Sequence, residues 1–337
     1  MWKSGFRWIA LIVGTMIGAG YASGRELWQF FGPDSSLAIL LFALMFTVSC
    51  YSLMHMSYAQ KSKHYVPVLE KVVGRTFVRI YDVMIIIYLF TTTVIMLAGS
   101  GASFEAFHQS YRLGVVVMVI CLVFSFFWNV QGIVKVTSIL FPLLLSGLAL
   151  LLFTFLYDQR IDLLDGVTDM DNWMAAFPFT ALNVLPLLAV IGAVGYKIES
   201  RAEIGIASIG SGVVLGSLSF LYNRSLVHIE SEVLVYEIPL FAILKDYPYA
   251  MLLLMAVILW AAIFTTAVTG TLGLAVRFQD NLQQPLWVTA FLLIALMLPL
   301  TSIGFSTLIE HLYPLYGILN LYVLISLLLY PIFLHLK

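Results

Sequence analysis

Charge is scarce in this sequence. Asp, Glu, Lys and Arg make up 10% of its 337 residues, against about 25% in an ordinary soluble domain. Hydrophobic residues reach 61% and the mean hydropathy is +1.00. No water-soluble core can absorb that much apolar surface, so lipid is the solvent for most of the chain. An excess of either sign is also missing, because 17 Lys and Arg face 18 Asp and Glu for a net charge of −1. That excludes a nucleic-acid binder held by bulk charge. Cysteine is reduced to Cys50 and Cys121, in different apolar segments and without metal-ligand spacing, and both read as free thiols. The histidines (His55, His64, His108, His228, His311 and His335) are scattered. They form no HExxH pattern and no Ser-His-Asp set that could meet, so the chain is expected not to be an enzyme and to need no cofactor. A nucleotide loop is excluded too, since the glycines fit neither GxGxxG nor a GK[ST] loop. A cleavable signal is not expected: the first apolar segment is too long and Gly24-Arg25-Glu26 is a poor cleavage site.

What the sequence has instead is apolar runs of about twenty residues, each long enough to span hydrocarbon. Ten are expected, at 6–31, 35–60, 76–100, 112–128, 132–157, 172–196, 203–223, 247–276, 285–302 and 307–335. Two of the gaps have their own character. Residues 61–75 are basic and suit a short surface helix, and residues 224–246 mix Glu230, Glu232 and Glu237 with apolar positions, as a half-buried lid or re-entrant helix does. With the N-terminus inside, twelve of the 17 bases fall on the cytoplasmic side, among them Lys3, Arg7, Lys61, Lys71, Arg201 and Arg277. Both termini are therefore expected in the cytoplasm. Asp158, Asp162, Asp165, Asp169 and Asp171 crowd one external loop, read as a solvated acidic linker because Ca²⁺-loop spacing is absent. The chain then divides into a first five-helix repeat at 1–157, this linker at 158–171 and a second repeat at 172–337. Five being odd, the halves must be inverted relative to one another.

The first run holds the most informative stretch. Between Gly14 and Gly24 four glycines interrupt an apolar sequence, Gly14-Thr-Met-Ile-Gly-Ala-Gly-Tyr-Ala-Ser-Gly. Each interior glycine costs a helix roughly 1 kcal/mol relative to alanine. That cost makes sense if the helix opens at mid-membrane and offers bare peptide groups to a solute. The N–H groups around Gly18, Ala19, Gly20 and Tyr21 then suit a carboxylate or another anion, and the carbonyls around Gly14 and Ile17 suit a cation. GxxxG packing of neighbouring helices is the alternative use of the same glycines. Residues 172–196 are punctuated as well, by Pro178, Asn183, Pro186, Gly192 and Gly195. Interruptions at matching places in two halves point to a transport site, whereas two independently kinked helices are the plainer reading. Ionisable groups at membrane depth are few: Glu26 directly after the break, Asp82 low in the third run, and Lys135, which is best explained by snorkelling. Glu26 is a candidate proton carrier or, equally, a solvated gate residue.

The stretch from Gly14 to Phe31, ending Ser-Gly-Arg-Glu-Leu-Trp-Gln-Phe-Phe, resembles the opening of the YkvI-like bacterial membrane proteins, which are named as amino acid permeases. They are placed in the amino acid–polyamine–organocation superfamily. The segment Ala181 to Ala189 is similar to that family's sixth helix, with Leu182 where a tyrosine is expected before Asn183. The resemblance implies an all-α polytopic membrane protein of about ten transmembrane helices, a LeuT-type 5+5 inverted repeat with helices one and six broken. It places the protein in a bacterial-type cytoplasmic membrane. It implies a Na⁺ site formed by Gly14, Ile17, Thr266 and Thr269, one ligand short because Gly270 stands where a second hydroxyl belongs. Membrane threonines also bond back to the preceding turn, which is the other reading of Thr266 and Thr269. By the same resemblance Tyr88, Thr92, Thr180 and Asn183 line the solute site. Arg25 and Glu310 form an outer gate, or else an unrelated surface pair.

The function these expectations support is secondary transport of a small polar solute, an amino acid or related zwitterion, by alternating access. Na⁺ or H⁺ is the coupling ion. The partners are the small-molecule solute and the lipid bilayer, with no nucleic acid and the oligomeric state left open. The alternative is a membrane sensor that binds an amino-acid-like ligand without moving it.

Overall fold

A computed structural model describes residues 2–33, 35–127, 130–163 and 171–335, and every regular element among them is helical. In order these are α1 (Trp2–Met16), α2 (Ala19–Ala22), α3 (Arg25–Phe31), α4 (Ser36–Gln60), α5 (Val66–Val73), α6 (Val78–Glu105), α7 (Tyr111–Phe127) and α8 (Val130–Asp158). They continue with α9 (Ala176–Val194), α10 (Arg201–His228), α11 (Glu230–Val233), α12 (Pro239–Ile243), α13 (Tyr249–Leu282), α14 (Leu286–Met297), α15 (Phe305–Leu319) and α16 (Leu321–His335). Among the described residues, six helical stretches are long and apolar enough to cross a bilayer. The pair α15 and α16 makes a seventh, bent by 44°, while α1, α7 and the second part of α8 are shorter apolar helices. Each of the ten predicted runs thus falls on a helix or a broken series of helices. Asp165, Asp169 and the Lys135 side chain lie outside the described residues.

The first run is broken as its glycines require. α1 ends at Met16, α2 is one turn long, and Gly24 adopts φ +82° before α3 begins. A side chain there would strain the backbone, and a Cβ would sit 2.9 Å from the Tyr222 ring. The sixth run corrects the expectation of a matching break. α9 winds without interruption from Ala176 to Val194 with Pro186 inside it. Proline removes a single donor, and the close packing of Phe179, Leu182, Leu185, Leu187, Leu188 and Ile191 along the same helix holds it wound. Pro178 lies in the first turn, where proline costs least.

Both short gaps formed the predicted surface elements. α5 buries Val68, Leu69, Val72 and Val73 and leaves Lys71 and Arg75 exposed. In the 224–246 segment α12 is buried throughout, whereas Leu234 and Val235 are exposed. α3, α4 and α9 are joined by rings: Phe179 lies 4.6 Å from Phe31, 4.7 Å from Phe42 and 5.3 Å from Phe30, centroid to centroid. Such pairs add about 0.5–1.5 kcal/mol each beyond their burial. α10 supports the broken run from behind. It packs on α1 and α4, and at Gly212 the approach is so close that a Cβ would lie 1.9 Å from Thr47 Oγ1 and 3.0 Å from the Ala43 carbonyl. Gly212→Val should therefore destabilise the protein by about 1–3 kcal/mol. A lower melting temperature in detergent checks this, and an unchanged one would show that α4 and α10 do not approach this closely.

Candidate functional site

The break in the first run leaves peptide groups bare. Ile17 N–H still reaches the Val13 carbonyl at 2.9 Å, but Gly18 N–H turns to Met16 at 2.8 Å instead of continuing the helix to Gly14. Among the described residues no hydrogen bond reaches the carbonyls of Gly14, Thr15 and Ile17, or comes from the N–H groups of Ala19, Gly20 and Tyr21. Beside Gly18 there is open space, with nothing within 4 Å of where a Cβ would stand. The other side of the loop is tied down. Tyr222 donates to the Ala22 carbonyl at 2.9 Å, Ser23 Oγ to the Gly20 carbonyl at 2.8 Å, and Leu240 N–H to the Ser23 carbonyl at 2.9 Å. The Tyr21 side chain points away from the opening, its hydroxyl bound to Ser219 at 2.7 Å and to the Leu215 carbonyl at 3.0 Å. Tyr21 is left to contribute through its backbone.

Glu26, one turn further on, folds back over the break. Its Oε2 lies 2.8 Å from the position of a Gly20 Cβ, and Tyr313 covers the same spot at 3.0 Å, so a side chain there would push both aside. Its Oε1 accepts a long 3.5 Å hydrogen bond from Asn183 Nδ2, which also donates to the Phe179 carbonyl at 2.8 Å. The Glu26 side chain is 6% exposed, and among the described residues no cationic group stands within ion-pairing distance of it. Tyr88 and Tyr313 lie within the field of its charge. Tyr88 packs edge-on to Tyr316 at 5.2 Å, and Tyr316 shares a 2.7 Å hydrogen bond with Thr91. α3, α9 and α15 thus bring a carboxyl, an amide and the Tyr313 phenol together beside Gly20. The tyrosines of α15 escaped the reading of the sequence. A signal for them existed in Tyr313-Pro314-Leu315-Tyr316-Gly317, a polar and small-residue interruption of the last run.

The remaining candidates are placed as follows. Thr180 and Thr92 donate to the carbonyls of Ala176 and Tyr88 on their own helices, at 2.6 and 2.7 Å. Thr266 bonds back to Ala262 at 2.9 Å and Thr269 to Thr265, as the plainer reading of α13 expected. Thr266 is half-buried and Thr269 exposed. Where the missing hydroxyl was noted, Gly270 meets α6 instead, with Thr93 Oγ1 2.5 Å from the position of a Cβ. Gly270 is there for packing.

Arg25 is held differently from the expected gate pair, and this is a correction. No ion pair joins Arg25 to Glu310 among the described residues, and Glu310 is exposed. Arg25 instead donates to the carbonyls of Tyr236 at 2.7 Å and Glu237 at 3.4 Å. Glu237 Oε2 in turn accepts from Ser306 N–H at 2.7 Å, at the start of α15. The lid between α10 and α13 is what Arg25 holds, because a guanidinium so nearly buried needs several acceptors and peptide carbonyls supply them. At the other end of α6, Tyr65 donates to Asp82 at 2.9 Å, and Asp82 also pairs with Arg277 of α13. Burial, followed by the neighbouring Asp82, pushes the Tyr65 phenol up to about 12, so it remains a donor.

No family model matches the chain. Two curated relatives do. YyaD of Bacillus subtilis (strain 168) is 44% identical over 332 residues, covering 98% of each chain. The membrane protein YkvI of the same organism is 27% identical over 320 residues, covering 92% of this chain and 91% of YkvI. Among solved structures, inward-facing Mhp1 superposes with a TM-score of 0.67 at 15% identity, over 95% of this chain and 75% of Mhp1. MhsT in complex with L-phenylalanine gives 0.62 at 13% identity, over 96% of this chain and 97% of MhsT. At such identities the likeness is one of fold, and the fold is the LeuT type. With a near-full-length relative at 44% identity and YkvI beyond it, the chain belongs to the YyaD- and YkvI-like family of multi-pass membrane proteins.

Proposed function

We propose that the protein is a secondary transporter of a small polar solute of the amino-acid class, working by alternating access, with the break at Ile17–Gly18 as its binding point. One observation carries the reading: unpaired peptide groups beside open space, deep in an apolar helix bundle and facing polar side chains from three other helices. A protein has no use for bare amides in hydrocarbon unless a ligand completes them. The likeness of fold to Mhp1 and to MhsT, the latter solved with L-phenylalanine, supports the same class. In this reading the solute's carboxylate meets the N–H groups of Ala19 to Tyr21, while Glu26 and Asn183 face its other end.

The two closures then lie at opposite ends of α6. On the outside, Arg25 and Ser23 hold the lid, and their hydrogen bonds must break for the site to open outward. On the inside, the Tyr65–Asp82–Arg277 set ties the 61–75 loop to α6 and α13. Both termini belong in the cytoplasm, since the bases favour that side. The two inverted halves, 1–157 and 172–337, supply the broken α1–α3 and the continuous α9 that flank the site. Glu26 makes H⁺ the favoured coupling ion. The Na⁺ candidate of Gly14, Ile17, Thr266 and Thr269 is weaker, because Thr269 is exposed and Gly270 is used for packing.

Uptake of labelled amino acids into proteoliposomes, under imposed proton or sodium gradients, tests transport directly. Failure of every gradient to move a solute that binds would favour a sensor. Gly18→Leu should fill the open space and abolish solute binding while leaving membrane insertion and the melting temperature near wild type; unchanged binding would remove the break from the site. Thr269→Ala should leave transport within about twofold of wild type, as expected of an exposed side chain. A loss of sodium dependence in that variant would instead restore the Na⁺ site.

A further inference from the structure

Glu26 poses a question that a general polar-solute site does not answer. Its carboxyl is nearly buried, Oε2 has no hydrogen-bond partner among the described residues, and no cation there neutralises it. The charged neighbours are turned elsewhere, and Tyr222 of α10 donates to the Ala22 carbonyl. On its own element Arg25 is turned to the lid carbonyls. On α2 Tyr21 is bound to Ser219. On α10 Arg224 donates to the Asp162 carbonyl, and on α15 Glu310 is exposed and His311 bonds the Thr307 carbonyl. What lies around Glu26 is the neutral Asn183 amide, the Tyr313 phenol beside Gly20 and, within the field of its charge, the Tyr88 phenol; neither phenol makes a hydrogen bond among the described residues. An ionised carboxylate cannot stay alone in such a place, so it must hold either a proton or a cation brought from outside.

We infer that Glu26 is the counter-ion of the cargo: the solute carries a protonated amine, seats that ammonium group against Glu26 among Tyr88 and Tyr313, and displaces a proton from the same carboxyl. This rests on the transport reading above and adds the charge of the solute and its relation to the proton. The balance is simple. A neutral Glu26 carboxylic acid and an ammonium ion give a carboxylate–ammonium pair and one proton released to water, with no covalent bond to the cargo made or broken. Electron-rich rings around an ammonium group favour it further. A solute with only a carboxylate has no ammonium group to displace the proton, so it leaves Glu26 neutral and gains no ion pair there. Cargo and proton compete for one group, so the cycle is an exchange, and an inward proton gradient drives the amine outward.

The test uses full-length protein in nanodiscs and liposomes, with chain-matched probes: butylamine, 1,4-diaminobutane, leucine and valerate. Amine-bearing probes should raise the melting temperature and valerate should not. The amines should bind more weakly as pH falls, because protonation of Glu26 competes. In weakly buffered solution at mildly acidic pH their binding should release protons, detected with a pH dye, a measurement that needs no variant. Glu26→Gln should weaken amine binding by roughly tenfold or more and abolish the release, while Glu26→Asp retains part of both. Binding of amines equally well by Glu26→Gln, binding without proton release across that pH range, or stabilisation by valerate alone would overturn the inference. If labelled solute crosses liposomes at a rate that Glu26→Gln leaves unchanged, transport stands and the counter-ion role falls. If Glu26-dependent binding with proton release occurs but no solute crosses, the counter-ion role stands and transport falls.

Discussion

A peptide bond in hydrocarbon must find a partner, and the first apolar run of this chain leaves several without one. The free carbonyls of Gly14, Thr15 and Ile17 and the free N–H groups of Ala19 to Tyr21 cost several kcal/mol each in an apolar interior if nothing meets them. The surrounding structure confines that cost to one side. Tyr222, Ser23 and Leu240 satisfy the carbonyls on the C-terminal side of the break, and Tyr21 fixes the loop to α10. The opening beside Gly18 is what remains. α10 therefore does more than pack: it holds an irregular backbone in one conformation, and its small residue at Gly212 lets α4 come close enough to support it.

The two elements that flank the site are unequal. Glycine opens the first run, because a missing Cβ both lowers helix stability and permits the left-handed turn at Gly24. Proline does not open the sixth. α9 stays wound, and the polar group it brings to the site is the Asn183 side chain, braced on the Phe179 carbonyl, in place of bare backbone. The binding point is thus lopsided, with backbone groups and a carboxyl on one side and an amide and phenols on the other.

The lid depends on the same break. Its hydrogen bonds go to Ser23 and Arg25, which lie within four residues of the free amides. Any movement of α2 and α3 that accompanies binding is felt at Tyr236, Glu237 and Leu240. Glu237 carries it on to the first turn of α15, the helix that supplies Tyr313 and Tyr316. The break and the lid thus share one mechanical element.

By itself the sequence determined the solvent, the helical runs, the place of the break and the acid that follows it. Each of these is a local property: hydropathy along twenty residues, or the loss of Cβ at Gly18, Gly20 and Gly24. The resemblance of Gly14 to Phe31 to the YkvI-like proteins carried the fold. The tertiary structure alone decided which faces meet. Helices that are apolar nearly all round, such as α4 and α9, carry little in their sequence to say which side turns inward. So Tyr313 and Tyr316 were invisible as site residues, the Arg25–Glu310 pair gave way to carbonyls of the lid, and Gly270 proved to be a contact with Thr93. Pro186 was misleading for a related reason, since packing on both sides of α9 outweighs the one hydrogen bond that proline removes.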